Sequence, residues 1–291
     1  MNIIFSINGG RGKSIVATAV CKAIRKKYPT DTLIVLTGYP EVFLNNNDVD
    51  FAFEHNHESY FYTKYIDGKD FLLFGNEPYN VTNHIKGTEH LIETWCSMND
   101  IPYNDEMPTI SLNERERMFF ANKYSAQKPI MVIQSHGGAD NQEMKYSWAR
   151  DIPFSIMNKV VEEFKNDYDI FHIRRQDQLG LENTIPVHDS IKAIASLILR
   201  SEKRLFMDSF CQHTAAALGK RSTVLWIANK PNVFGYTIHD NIVANPETVK
   251  PDLKFAGFSK YNIVGNPLEF PYNSEAEIFN ADQIIESILA Q

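Results

Sequence analysis

The chain has 291 residues, with Lys+Arg 29 against Asp+Glu 36 for a formal charge of -7, and 43% hydrophobic against 22% charged residues. This length accommodates one large or two smaller domains, and the balance is that of an ordinary globular enzyme. No apolar run reaches the ~18 residues of a membrane-spanning helix, Met1-Asn2-Ile3-Ile4-Phe5 carries no basic-then-apolar leader, and the acidic balance disfavours a broad basic face for nucleic acid while leaving room for a local basic groove.

Cys21, Cys96 and Cys211 are odd in number and far apart. This excludes a CxxC redox or zinc pair and fits reduced thiols in the cytoplasm, where the Asn80-Val81-Thr82 sequon goes unused.

In chain order, residues 2–7 form a compact apolar strand. Residues 14–27 place Ile15, Val16, Ala19, Val20, Ala23 and Ile24 on one helical stripe that Tyr28-Pro29 ends. Strands follow at 32–37 and 71–74, and helices at 85–98 and 113–123. After the polar stretch 123–129 a second series begins: strand 130–134, helix 153–166 and strand 169–174. Helix 191–200 is capped by Ser190, followed by strand 205–207, helix 212–218 closed by Gly219, strand 222–227 and a last helix at 281–289. Alternation of this kind predicts parallel sheets with helices on both faces. The expected fold class is α/β, with two Rossmann-like doubly wound domains, 1–126 and 127–291, facing across a cleft. The last helix is free to pack back on the first domain. Ligands belong at the carboxyl ends of the strands.

Asn8-Gly9-Gly10-Arg11-Gly12-Lys13-Ser14 lies between a strand and a helix, where glycine amides can cradle an anion. It is similar to the GGxGK[ST] loop of ParA- and MinD-like ATPases. Asn8 stands where that family has a lysine, and Leu36-Thr37-Gly38-Tyr39-Pro40 lacks its acidic, magnesium-linked motif. A P-loop ATPase using residues 9–14 is therefore one alternative function, and a plain glycine-rich turn is the other reading of the loop.

The second constellation is Asp208-Ser209-Phe210-Cys211-Gln212-His213-Thr214-Ala215-Ala216-Ala217-Leu218-Gly219-Lys220, between two strands. Small residues after His213 let a short helix pack closely on the sheet. Its first turn offers free amides and positive dipole to a ligand above the strand end, and Ser209, His213 and Thr214 add side-chain donors. The bland alternative is that Asp208 or Ser209 only caps the helix and His213 is a core histidine.

This run resembles the D-[ST]-G-x-x-H-x-A-A-A-L-G-K-P signature of heptosyltransferase-like glycosyltransferases (family 9, GT-B fold). Lys145-x-x-Trp148 before helix 153–166 resembles that family's K-x-W step, and Asn47-Asp48-Val49-Asp50 its NPyVDev region. Gly9-Gly10-Arg11-Gly12 is similar to its first βα unit, and Asn229-Lys230-Pro231 stands at its G-x-t-x-P loop. The resemblance is weak over 55–125 and good over 130–231.

It implies an inverting, metal-independent transfer of a sugar from a nucleotide-sugar donor to an acceptor hydroxyl. The acceptor would be an envelope glycan or another hydroxyl, a modified DNA base included, and no cofactor is expected. It also implies that the first domain holds the acceptor and the second the donor, through Lys145, Asp208, Ser209 and His213. Ser135, His136 and Arg174, at strand ends of the second domain, and Thr214, at the helix start, are further donor-side candidates, and Gly9, Gly10, Arg11 and Gly12 are candidates to face phosphate or acceptor.

Two departures stand out. Lys13 occupies the family's acidic, general-base position, so Glu77, Asp48 and His84 become acid/base candidates, with Lys13 itself an anion contact. Phe210 replaces the signature glycine. A catalytically silent sugar-nucleotide-binding protein is the further alternative. Asp48-Val49-Asp50 reads as loop and edge strand rather than a metal DxD, and His55-Asn56-His57 as solvated loop. The 75–80 loop divides evenly between sugar binding and a plain turn, as the Arg174-Arg175 pair does between phosphate or ribose contact and surface charge.

Overall fold

The computed structural model describes residues 1–56, 59–137, 150–248 and 274–291. In chain order the elements are β1 (Asn2–Ile7), α1 (Arg11–Lys27), β2 (Thr32–Thr37), β3 (Phe51–Glu54), α2 (Phe61–Tyr65), β4 (Phe71–Phe74), α3 (Thr82–Lys86), α4 (Leu91–Ser97) and α5 (Glu114–Lys123). They continue with β5 (Ile130–Ile133), α6 (Phe154–Phe164), β6 (Asp169–Ile173), β7 (Ile185–Val187), α7 (Ile191–Arg200), β8 (Lys203–Met207), α8 (Phe210–Ala217), β9 (Thr223–Trp226), α9 (Pro231–Phe234), β10 (Asp240–Val243) and α10 (Ala281–Leu289).

The strands make two parallel sheets, ordered β3-β2-β1-β4 and β10-β9-β8-β5-β6-β7. Ile4 pairs with both Ile34 and Leu73 in the first, and Val132 with Phe171 and Arg204 in the second. Their interior strands are mostly apolar and buried, as expected of parallel sheets covered on both faces. The architecture is α/β and doubly wound, as the alternation predicts. The short strands β3, β7 and β10 carry no sequence period long enough to announce them; β7 tolerates Pro186 because it is an edge.

Two boundaries differ from expectation in ways that matter. Helix α1 starts at Arg11 rather than residue 14, with extended Gly10 as its cap, so Arg11, Gly12 and Lys13 belong to the first helical turn. The helix expected at 85–98 is two helices, broken where Gly87 closes α3 in the left-handed region (φ 64). The His90 side chain then caps α4 by accepting from the Ile92 amide.

One apolar cluster runs across both halves. It joins Phe5 and Ile7 of β1, Val16 and Val20 of α1 and Trp95 of α4 to Ile194 of α7, Phe206 of β8 and Trp226 of β9. A second cluster lies on the far face of the second sheet, where α6 and α10 cover Met131 and Leu205. Helix α10 thus packs on α6, β8 and β9. Residue 126 falls between α5 and β5, yet α5 lies against α7 of the second half. The two sheets are held as one body by shared core rather than by a linker.

Candidate active-site cleft

The carboxyl ends of the two sheets face each other across a cavity of ≈ 450 Å³. On the first side it begins with the turn after β1. Gly9 has φ 124, and a Cβ there would meet Lys13 Cδ at 2.9 Å, so only glycine lets the turn fold onto the lysine stem. No side chain caps α1 and its first turn holds no acid, which leaves its amides and dipole directed at the cavity. Arg11 Nη1 donates to the Asp189 carbonyl at 3.0 Å, and its guanidinium lies 5.6 Å from the Phe210 ring centre.

Lys13 is buried and donates to both Glu77 carboxylate oxygens at 2.6 Å. Its ammonium is also 4.8 Å from the Tyr79 ring centre and 5.3 Å from that of Trp95. Burial lowers the Lys13 pKa from its ordinary value, and Glu77 pulls against that shift. Glu77 keeps 35% side-chain exposure and faces the cavity. A carboxylate has therefore reached the place where the sequence has a lysine, carried there by the turn after β4.

The second side is built by β8, α8 and the end of β5. Ser209 caps α8 with extended backbone but no side-chain bond to the helix; its Oγ accepts from Gln134 Nε2 at 3.2 Å. Asp208 accepts from Asn229 Nδ2. His213 is buried at the cavity wall, 2.9 Å from the Tyr236 hydroxyl through Nδ1. Burial, with His90 and His239 nearby, pushes its pKa down to about 3. The two helix starts touch: a Cβ on Gly12 would come within 3.2 Å of His213 Cδ2 and 3.4 Å of Phe210 Cα. Phe210, in the signature glycine's place, thus packs on the first half of the molecule.

His136 lines the cavity, and burial together with Arg174 and Arg175 brings its pKa down to about 4. Arg174 lines it as well, with Nη1 donating to the Gln178 carbonyl at 2.7 Å. Arg175 is anchored by Asp177, its Nε at 2.9 Å from Oδ1.

The cavity thus gathers Gly9, Gly10, Arg11, Gly12, Lys13, Glu77, His136, Arg174, Asp208, Ser209 and His213 from distant parts of the chain. Four expected residues stand elsewhere: Asp48 lies between β2 and β3, its amide donating to Asn46 Oδ1 at 2.9 Å, and the other three are buried. His84 is buried behind Tyr79, stacked on it at 4.7 Å and edge-on to Phe234, because the break at Gly87 turns α3 away from the cavity. Ser135, two residues past the end of β5, is fully buried, bridging His136 Nδ1 at 2.6 Å and His172 Nε2 at 2.8 Å. Thr214 faces the core and donates to the Phe210 carbonyl at 2.8 Å within α8. Lys145 and Trp148 lie outside the described residues.

Residues that the sequence did not single out also line the cavity: Gln134, Arg150 and Asp189. Asn229, of the Asn229-Lys230-Pro231 loop, and the Tyr79 ring, of the 75–80 loop, line it too. Asp189 is organised by Lys123 at 2.6 Å, Tyr124 and the Ser190 amide; together these outweigh the upward push of burial and hold its carboxyl low.

The P-loop alternative loses its magnesium ligand. Ser14 is fully buried and hydrogen-bonded to Thr37 Oγ1 at 3.1 Å, while Lys13 is committed to Glu77. Among the described residues no three His, Cys, Asp or Glu side chains gather as a metal site.

No family model and no curated protein matches the chain by sequence. Solved structures do match it. The glycosyl transferase family 9 protein of Veillonella parvula is 14% identical, with 99% of this chain and 96% of that chain covered and a TM-score of 0.68. The ADP-heptose lps heptosyltransferase II of E. coli is 13% identical, over 100% and 98%, at 0.72. The iron-containing dodecameric glycosyltransferase TibC of enterotoxigenic E. coli is 10% identical, over 99% and 75%, at 0.69, and a TibC structure contains ADP-D-beta-D-heptose. The chain has the GT-B fold and is heptosyltransferase-like in architecture.

Proposed function

We propose that the protein is an inverting glycosyltransferase that moves a sugar from a nucleoside-diphosphate sugar to an acceptor hydroxyl without a bound metal, in the cytoplasm. One observation carries this reading: two helix starts without side-chain caps, α1 and α8, converge on a single cavity that also contains the Lys13–Glu77 pair. Helix starts suit phosphate, and a positioned carboxylate suits proton removal from a hydroxyl. The fold's likeness to a protein holding ADP-heptose supports the donor class.

In the proposed step the acceptor hydroxyl gives its proton to Glu77. The acceptor oxygen bonds to the anomeric carbon as the bond from that carbon to the diphosphate oxygen breaks on the opposite face. Charge left on the diphosphate meets the first-turn amides of α8, His213 and Arg174, with Lys145 assigned to the same task. Lys13 holds Glu77 by both oxygens and the Tyr79 amide also donates to Oε1 at 3.3 Å, so Oε2 keeps a further lone pair for the acceptor. The acceptor binds along Gly9–Gly12, as an envelope glycan or another hydroxyl compound, a modified DNA base included.

Thermal stability of the chelator-treated protein is to be measured with ADP, GDP, UDP and CDP, with and without magnesium. One diphosphate raising the melting temperature without metal, an effect lost in His213→Ala, supports the transferase. Stabilisation by Mg-ATP alone sinks it. Hydrolysis of the matching nucleotide sugar in the absence of acceptor then separates an enzyme from a silent binder.

A further inference from the structure

The wall of the cavity around His213 contains a phenol that the proposed step does not use. Tyr236 follows α9, is buried, and has the rings of His213, His90 and His239 packed at 5.6, 5.4 and 5.9 Å from its own. Its hydroxyl lies 2.9 Å from His213 Nδ1. The Gln212 amide nitrogen is 3.0 Å from His213 Nδ1 and 3.2 Å from Nε2. An atom that close to both nitrogens in the ring plane would collide with the carbon between them. The amide therefore lies over the ring face, and Tyr236 is the in-plane partner of Nδ1.

The proton on this contact has one economical place. If Nδ1 carried a hydrogen and donated to the phenol oxygen, the phenol hydrogen would need another acceptor. Among the described residues the Tyr236 hydroxyl has no hydrogen bond except to His213, and neither flanking histidine accepts from it. A buried donor left unpaired is disfavoured, since it loses its bond to water and gains none in the protein. The hydroxyl donates to Nδ1, and burial keeps both groups uncharged. The ring hydrogen is then on Nε2, next to Cδ2, the edge that faces Gly12 and the start of α1.

We infer that Tyr236 is a positioning residue that sets the tautomer of His213, so that the histidine presents a neutral Nε2–H to an anionic group in the cavity. The identity of that anion, the donor diphosphate, rests on the proposed function; the tautomer does not. The arrangement also changes how His213 would act. It serves as a directed hydrogen-bond donor rather than as a positive charge, and net charge comes from the arginines.

The test is nitrogen NMR of the histidine-labelled protein, with the His213 signals assigned by their loss in His213→Gln. A pyrrole-type Nε2 and a pyridine-type Nδ1 are expected in the wild type. In Tyr236→Phe the two forms should mix, and the diphosphate that stabilises the wild type should bind about tenfold more weakly, the worth of one hydrogen bond to a charged group. Hydrogen on Nδ1 in the wild type, an unchanged tautomer in Tyr236→Phe, or a changed tautomer with unchanged affinity would each overturn the inference. The wild-type spectrum requires no variant to fold. A protein that keeps Nε2–H but binds none of the four diphosphates refutes the nucleotide reading instead, and inorganic pyrophosphate then serves as the anion for comparing wild type with Tyr236→Phe.

Discussion

In the proposed function Glu77 and Lys13 together set the chemistry of the first half of the cavity. An ammonium held by both carboxylate oxygens and two aromatic faces cannot swing toward a ligand, so in the proposed step proton removal is assigned to the partly exposed Glu77. Glu77→Gln keeps the volume and removes the base. We expect turnover to fall by about 10²–10⁴ while binding of the stabilising diphosphate is retained; steady-state rates set beside calorimetric affinity check this, and an active Glu77→Gln protein would exclude Glu77 as base. The sequence marks Lys13 as displaced from a family pattern and marks Glu77 only as one acid among several. Their pairing spans 64 positions and exists only once β1 and β4 lie side by side.

Among the elements, α7 stitches the molecule together. It packs on α5 and α8, and Lys192 reaches across to donate to the carbonyls of Leu44, at 3.3 Å, and Ser111 in the first half. The cap of this helix was legible beforehand, because a serine just ahead of an apolar period is a local signal, and the Ser190 Oγ accepts from the Ala193 amide at 3.3 Å. Ser190→Ala should lower unfolding free energy by about 1 kcal/mol, read from the urea midpoint at unchanged slope. A change within a few tenths would mean the cap is replaced by solvent. The division of residues 85–98 was not legible, since one glycine inside a helical pattern signals a stop only when its backbone turns left-handed, and the sequence does not state φ.

For the whole molecule, buried histidines govern the response to acid. His90, His136 and His239 are pushed down to about 4, and His172 and His213 to about 3, from an ordinary value of 6.5, chiefly by burial. Folded pKa values below the unfolded ones mean that the unfolded chain binds more protons between these limits. Stability is then full above pH 6.5 and declines as pH falls toward 4. Melting temperature measured from pH 8 to 4.5 should be level down to about 6.5 and drop continuously below it; a level profile through pH 5 would contradict this. The apolar cluster shared by both sheets makes that loss one cooperative transition, with calorimetric and van't Hoff enthalpies equal.

The order of the longer strands and helices, the parallel sheets and the placing of the two glycine- and alanine-rich turns at strand ends were determined by the sequence itself, because hydrophobic period, caps and turn residues act over a few neighbouring positions. The meeting of Gly12 with Phe210 and His213, the Lys13–Glu77 pair, and the removal of His84, Ser135 and Thr214 from the cavity were decided only by the tertiary structure. Each depends on which elements become neighbours and which face a side chain takes. Those are set by packing two sheets on one core, a global condition that no local stretch of residues encodes.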